Sequence, residues 1–168
     1  PFSIYYSKKK NLVLLHAITN VQGLEWQLSE KVIELYKKLK AKKIISLEGI
    51  GSTSATEPKV FYYTNRIGKD KVQAEILKEG IIMGVSGALL LKAEVPLSCF
   101  FAETHSSLPD SMAAAKIIQV LDSYLGLNVD YKPLLKKAAE FEEKLKNIVD
   151  KSKVASDQKE KKELDYFG

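Results

Sequence analysis

The stretch Leu97-Ser98-Cys99-Phe100-Phe101-Ala102 is a nearly unbroken apolar run. It lacks the alternation of a strand with one wet face, so it predicts a strand buried on both sides. Short β-rich runs and helical periodicities alternate along the rest of the chain. That alternation predicts an α/β fold with a mainly parallel sheet flanked by helices.

Phe2 to Tyr6 and Asn11 to His16 read as two adjacent strands or a hairpin, joined by Ser7-Lys8-Lys9-Lys10. Leu28, Val32, Leu35, Tyr36 and Leu39 recur at three- and four-residue steps and predict a helix over Leu24 to Leu39. Lys43 to Leu47 and Lys59 to Thr64 read as strands. Lys69 to Lys78 reads as a short helix stopped by Gly80. Ala88 to Leu91 reads as a small buried helix. Pro109-Asp110 opens a helix from Ser111 to Leu125, which Gly126 closes. Asp130 is placed to cap a last helix from Pro133 to about Val149. In it, Leu134, Leu135, Ala138, Phe141, Leu145, Ile148 and Val149 form a stripe expected to pack on the core or on another subunit. There are no internal repeats.

The 168 residues fit one domain over residues 1–150, followed by a charged tail over 151–168. No run approaches the roughly 20 apolar residues of a membrane span, so no membrane partner is expected. Pro1-Phe2-Ser3-Ile4 opens as a strand rather than as a charged leader, although a chain without an initial Met can be a fragment. The single cysteine, Cys99, leaves no internal disulfide framework and points to a cytoplasmic location. The net charge of +5 is carried almost wholly by lysine, with Arg66 the only arginine. Lysines alternate with glutamates, as in Glu140, Glu142, Glu143, Lys144 and Lys146, which describes a solvated face. Nucleic-acid readers favour clustered arginine, so no nucleic-acid partner is expected. The Lys/Glu surface with few Gln also suits a thermophile.

Three segments follow predicted strands and are expected as loops at the carboxyl edge of the sheet, where open α/β sheets bind ligands. The first carries Gly49 and Gly51, the second Gly84 and Gly87, the third Glu103, His105 and Asp110. The glycines fall short of a dinucleotide fingerprint, and no phosphate-loop Gly-Lys-Ser/Thr is present. Tight strand-to-helix turns explain them as well. The third loop alone holds acid–base groups, with Cys99 or Ser106 as conceivable nucleophiles. Asp110 has a simpler use as a helix cap, and Glu103 as an acceptor for nearby backbone N–H groups. His16 and His105 are too few and too far apart for a zinc signature. No cofactor or metal is expected.

The chain ends Tyr166-Phe167-Gly168 after a polar stretch from Lys151 to Asp165. Such a stretch buries too little apolar surface to offset its ordering entropy, so it is expected to be mobile. Two aromatics at its end read either as an anchor for a pocket elsewhere or as an end that folds back on the domain. A coil of about 15 to 18 residues spans roughly 20–25 Å.

Lys43-Ile44-Ile45-Ser46-Leu47-Glu48-Gly49-Ile50-Gly51, Gly84-Val85-Ser86-Gly87-Ala88-Leu89-Leu90, and Ala102-Glu103-Thr104-His105 with Leu108-Pro109-Asp110 and Ala113-Ala114 occur in that order. Together they resemble three segments of the proteasome assembly chaperone 2 family, over about Tyr5 to Val149. The resemblance implies a Rossmann-like domain similar to nucleoside-phosphorylase-type folds. It also implies that an amino-terminal strand and helix of the family precede the point where this sequence starts. It further implies a homo-oligomer that binds proteasome α subunits through a carboxy-terminal hydrophobic–tyrosine–any-residue tail. Those positions fall here on Tyr166, Phe167 and Gly168; Phe167 keeps the ring but lacks the phenolic hydroxyl. The expected function is therefore a proteasome-binding chaperone or ATP-independent proteasome activator, not an enzyme. The alternative is a small-molecule enzyme with a site in the carboxyl-edge loops.

Overall fold

The computed structural model describes residues 2–52, 58–66, 71–104 and 110–133, and then 135–136, 139–140, 143–144 and 147–148. Its elements are β1 (Phe2–Ser7), β2 (Leu12–Ala17), α1 (Glu25–Lys38), β3 (Ile44–Gly51), β4 (Val60–Thr64), β5 (Glu75–Ile76), α2 (Gly84–Lys92), β6 (Leu97–Thr104) and α3 (Ser111–Leu125). The strands form two sheets: the antiparallel pair β1–β2, and a four-stranded sheet in the order β3-β6-β4-β5.

β6 organises the larger sheet, as its apolar run predicts. Leu97, Cys99, Phe100 and Phe101 have no exposed surface. Because side chains alternate across a strand, the run divides between two cores. Leu97, Cys99 and Phe101 join Ile44 and Leu89 on one side, with Val32, Ile33 and Tyr36 of α1 packed against them. Phe100 and Ala102 join Val60 and the α3 residues Ala113, Ile117 and Leu121 on the other. The result is three layers, with α1 and α2 on one face of the sheet and α3 on the other. Phe100 meets Tyr62 and Tyr124 at ring-centroid distances of 6.3 and 5.6 Å. Lys43 Nζ donates to the Tyr124 hydroxyl at 2.6 Å.

The helix ends follow their sequence signals. Asp110 Oδ1 accepts from Ala113 N at 2.9 Å and caps α3, and Gly126 closes it at φ 62°, a conformation that suits glycine. Asp130 Oδ1 accepts from Lys132 N at 3.1 Å. The described residues between 132 and 148 have helical backbone. Of their apolar stripe, Leu135 is half-buried and Ile148 is 63% exposed; Leu134, Ala138, Phe141, Leu145 and Val149 lie outside the described residues. The predicted α1 stripe is also partly corrected, since Leu39 is at the carboxyl cap and 51% exposed. On the outer face of α1, Lys31 and Lys38 each lie 2.8 Å from Glu34. Hydrogen bonds from Lys31 and Lys38 hold the Glu34 carboxyl at about 2.

Four expectations change. Residues 71–78, expected to be helical, are not helical and hold the short strand β5; its pairing with β4 supplies backbone partners that local propensity does not see. β3 runs on through Glu48 to Gly51, so Gly49 and Gly51 are strand residues rather than a loop. Pairing with all of β6 extends it. Gly84 and Gly87 likewise belong to the first turn of α2. The sheet itself is mixed: β3–β6 and β4–β5 are parallel, but β4–β6 is antiparallel.

Candidate functional site

The parallel pairing of β3 with β6 sets Gly51 opposite Thr104 and so brings both carboxyl ends to one edge. Two of the candidate residues near that edge, Glu103 and Asp110, already have structural work. Glu103 Oε1 accepts from Ser52 Oγ at 3.1 Å, and Oε2 accepts from Lys59 N at 3.0 Å. Its carboxylate ties the end of β3 to the start of β4. Asp110 caps α3. His105 lies outside the described residues.

The glycines permit close packing. A Cβ on Gly49 would lie 2.9 Å from Thr104 Cγ2, and one on Gly87 would lie 2.8 Å from the Ile82 carbonyl oxygen. Gly84 has φ +68°, which L side chains rarely adopt. Gly51 has open space around its Cβ position.

The more distinctive feature is built around Glu48 and Ser86, which lie within the first and second of the family segments. Glu48 projects from β3 beside the start of α2, and burial raises its carboxyl above the ordinary value, opposed by a hydrogen bond with Ser86. Ser86 Oγ also lies 2.7 Å from Ser46 Oγ. Behind them, burial and then the nearby Glu48 charge push the Cys99 thiol up to about 12. Cys99 is thus a buried neutral thiol, not a nucleophile. Glu48 and the predicted edge glycines Gly49 and Gly51 line a cleft of about 390 Å³ together with Glu79 and the apolar Ile50, Leu77, Ile81 and Met83. Ile81 and Met83 are 88% and 74% exposed. The sequence signal was the first candidate segment, which supplies Glu48, Gly49 and Gly51; Glu79 and Met83 join them only through the fold.

Chemically, the cleft offers two carboxylates among apolar walls. It suits a cationic group on an apolar stem better than nucleophilic chemistry. Among the described residues no three His, Cys, Asp or Glu groups are placed to hold a metal ion. No described helix is long and apolar enough to cross a membrane.

Residues 1–149 match the model of a known family, described as the PAC2 family. An uncharacterized protein of Methanocaldococcus jannaschii is 30% identical over 129 residues, 73% of this chain and 53% of the relative. The chain thus spans about half the length of that curated relative. The structure is similar to Pyrococcus furiosus PbaA, described as an archaeal homolog of proteasome-assembly chaperone. The TM-score is 0.74 at 31% identity, covering 96% of this chain and 71% of PbaA. It also shares its fold with Pyrococcus furiosus PbaB, described as an archaeal proteasome activator. Here the TM-score is 0.69 at 20% identity, over 88% of this chain and 70% of PbaB.

Proposed function

The chain belongs to the PAC2 family, and from that premise we propose that it is a proteasome-binding chaperone or ATP-independent activator that acts as a homo-oligomer in the cytoplasm. The observation that carries this reading is the similarity to PbaA, at 31% identity over nearly the whole chain. Tyr166, Phe167 and Gly168 dock in pockets between α subunits of the proteasome core particle. A short aromatic anchor is a sufficient hot spot when several act together. These three residues lie beyond the family match and outside the described residues, so support for their role comes from the sequence.

The enzyme alternative draws little support from the carboxyl edge. Glu103 and Asp110 are engaged in structural hydrogen bonds, and Cys99 is buried. Binding of the chain to an archaeal-type proteasome core, with and without residues 166–168, tests the proposal. Peptide hydrolysis is followed in parallel without nucleotide. Loss of binding on removing the three residues is the expected result, and a Phe167→Tyr variant should bind at least as tightly. Unchanged binding after truncation would sink the tail mechanism.

A further inference from the structure

The hairpin carries a surface that the three-layer core leaves unused. Residues directly opposite in an antiparallel pair share a face. The register pairs Phe2 with Ala17, Ile4 with Leu15 and Tyr6 with Val13, so one face of the hairpin is composed of these six residues. Exposure is 50% for Phe2, 65% for Ile4, 63% for Tyr6 and 42% for Leu15. The other face mixes Ser3, Ser7 and His16 with Tyr5, Leu12 and Leu14. Neither hydrophobic core of the described residues includes a hairpin residue.

Two properties indicate that this face is covered when the protein works. An isolated two-stranded hairpin is marginally stable in water. Contiguous exposed apolar residues on one face mark an interaction surface.

The turn indicates what covers it. Lys8, Lys9 and Lys10 form a block of three positive charges at the hairpin tip. The cleft at the end of β3 has the opposite character: Glu48 and Glu79 beside the exposed Ile81 and Met83. We infer that the apolar face of this hairpin, led by its lysine tip, docks on the Glu48/Glu79 cleft of a second copy of the chain. Apolar surface meets apolar surface, and the lysines meet carboxylates. The contact joins two different patches, so it repeats head to tail and either closes into a ring or continues as a filament. In a closed ring every carboxy terminus lies on the same side. The inference deepens the homo-oligomer reading above, but its test needs no proteasome, so the two can fail separately.

The test is sedimentation velocity of the full chain across a concentration series. The unmodified chain should self-associate. Ile4→Ser/Tyr6→Ser should weaken association at least tenfold while the circular dichroism spectrum stays unchanged. A charge swap guards against a trivial loss of the hairpin. Lys9→Glu/Lys10→Glu and Glu79→Lys should each weaken association alone, and mixing the two proteins should restore it. A monomeric unmodified chain, or assembly indifferent to the hairpin variants, would overturn the inference. Failure of the mixture to recover would overturn docking on this cleft.

Discussion

Glu48 shows what a single side chain can contribute once its surroundings are known. In sequence it is one acid before a Gly-Ile-Gly; in the fold it is half-buried, and burial raises its carboxyl above the ordinary value. The folded state then holds the proton more tightly than the unfolded chain does. The associated stability is fully present below the ordinary carboxyl value and is lost as pH rises through the raised one. Glu48→Gln cannot ionise, so it should raise the Tm at pH 7 and change it little at pH 3. Equal shifts at both pH values in thermal melts would show that ionisation is not the cause. Asp110 was legible as an acceptor for a nearby backbone N–H group, because its partner Ala113 stands three residues on. Glu103 was expected to serve neighbouring N–H groups, but its partners are the distant Ser52 and Lys59. Asn65 was not legible. Its amide donates to the carbonyls of Ala93 and Val95 and its oxygen accepts from Leu97 N, across about thirty residues of chain.

At the scale of elements, capping and periodicity were the strongest signals. The helix from Ser111 to Leu125 has the predicted bounds, with Asp110 before it and Gly126 after it. Asp110→Ala should cost about 1 kcal/mol, a fall of about 2–4 °C in Tm for a chain of this size. Asp110→Asn, a competent cap, should lose much less. A full loss with Asn as well would mean that the charge, not the cap, matters. The failures fall where tertiary pairing overrides local preference. The stretch Lys71 to Lys78 alone offers helix-compatible residues, yet β4 recruits Glu75 and Ile76 as a strand edge. β3 extends past its glycines because β6 pairs with it to the end and because Gly49 admits Thr104 alongside.

For the whole molecule, one buried strand divides the interior of the described residues into two cores, whose members run from Val32 to Tyr124. The polar stretch from Lys151 to Asp165 has little apolar surface to bury, so removing residues 151–168 should leave the Tm within about 1–2 °C, the range of surface changes. On the proposed mechanism the same truncation abolishes proteasome binding. A large loss of stability on truncation would favour the other sequence reading, a tail that folds back onto its domain. The parallel β3–β6 pair sets Gly51 opposite Thr104 at one edge, but Glu103 and Asp110 serve the scaffold. The cleft at the end of β3 joins Glu48, Gly49 and Gly51 of the first segment to Glu79, Ile81 and Met83, which no motif singled out.

By itself the sequence determined the layered α/β character, the hairpin, the helix caps and the family, because burial pattern, capping chemistry and ordered motifs are local properties. Only the tertiary structure decided the mixed strand order, the extension of β3, the pairing of β5 and the company Glu48 keeps. Those depend on which distant segments meet, and backbone pairing and desolvation act on that meeting rather than on any residue's neighbours in the chain.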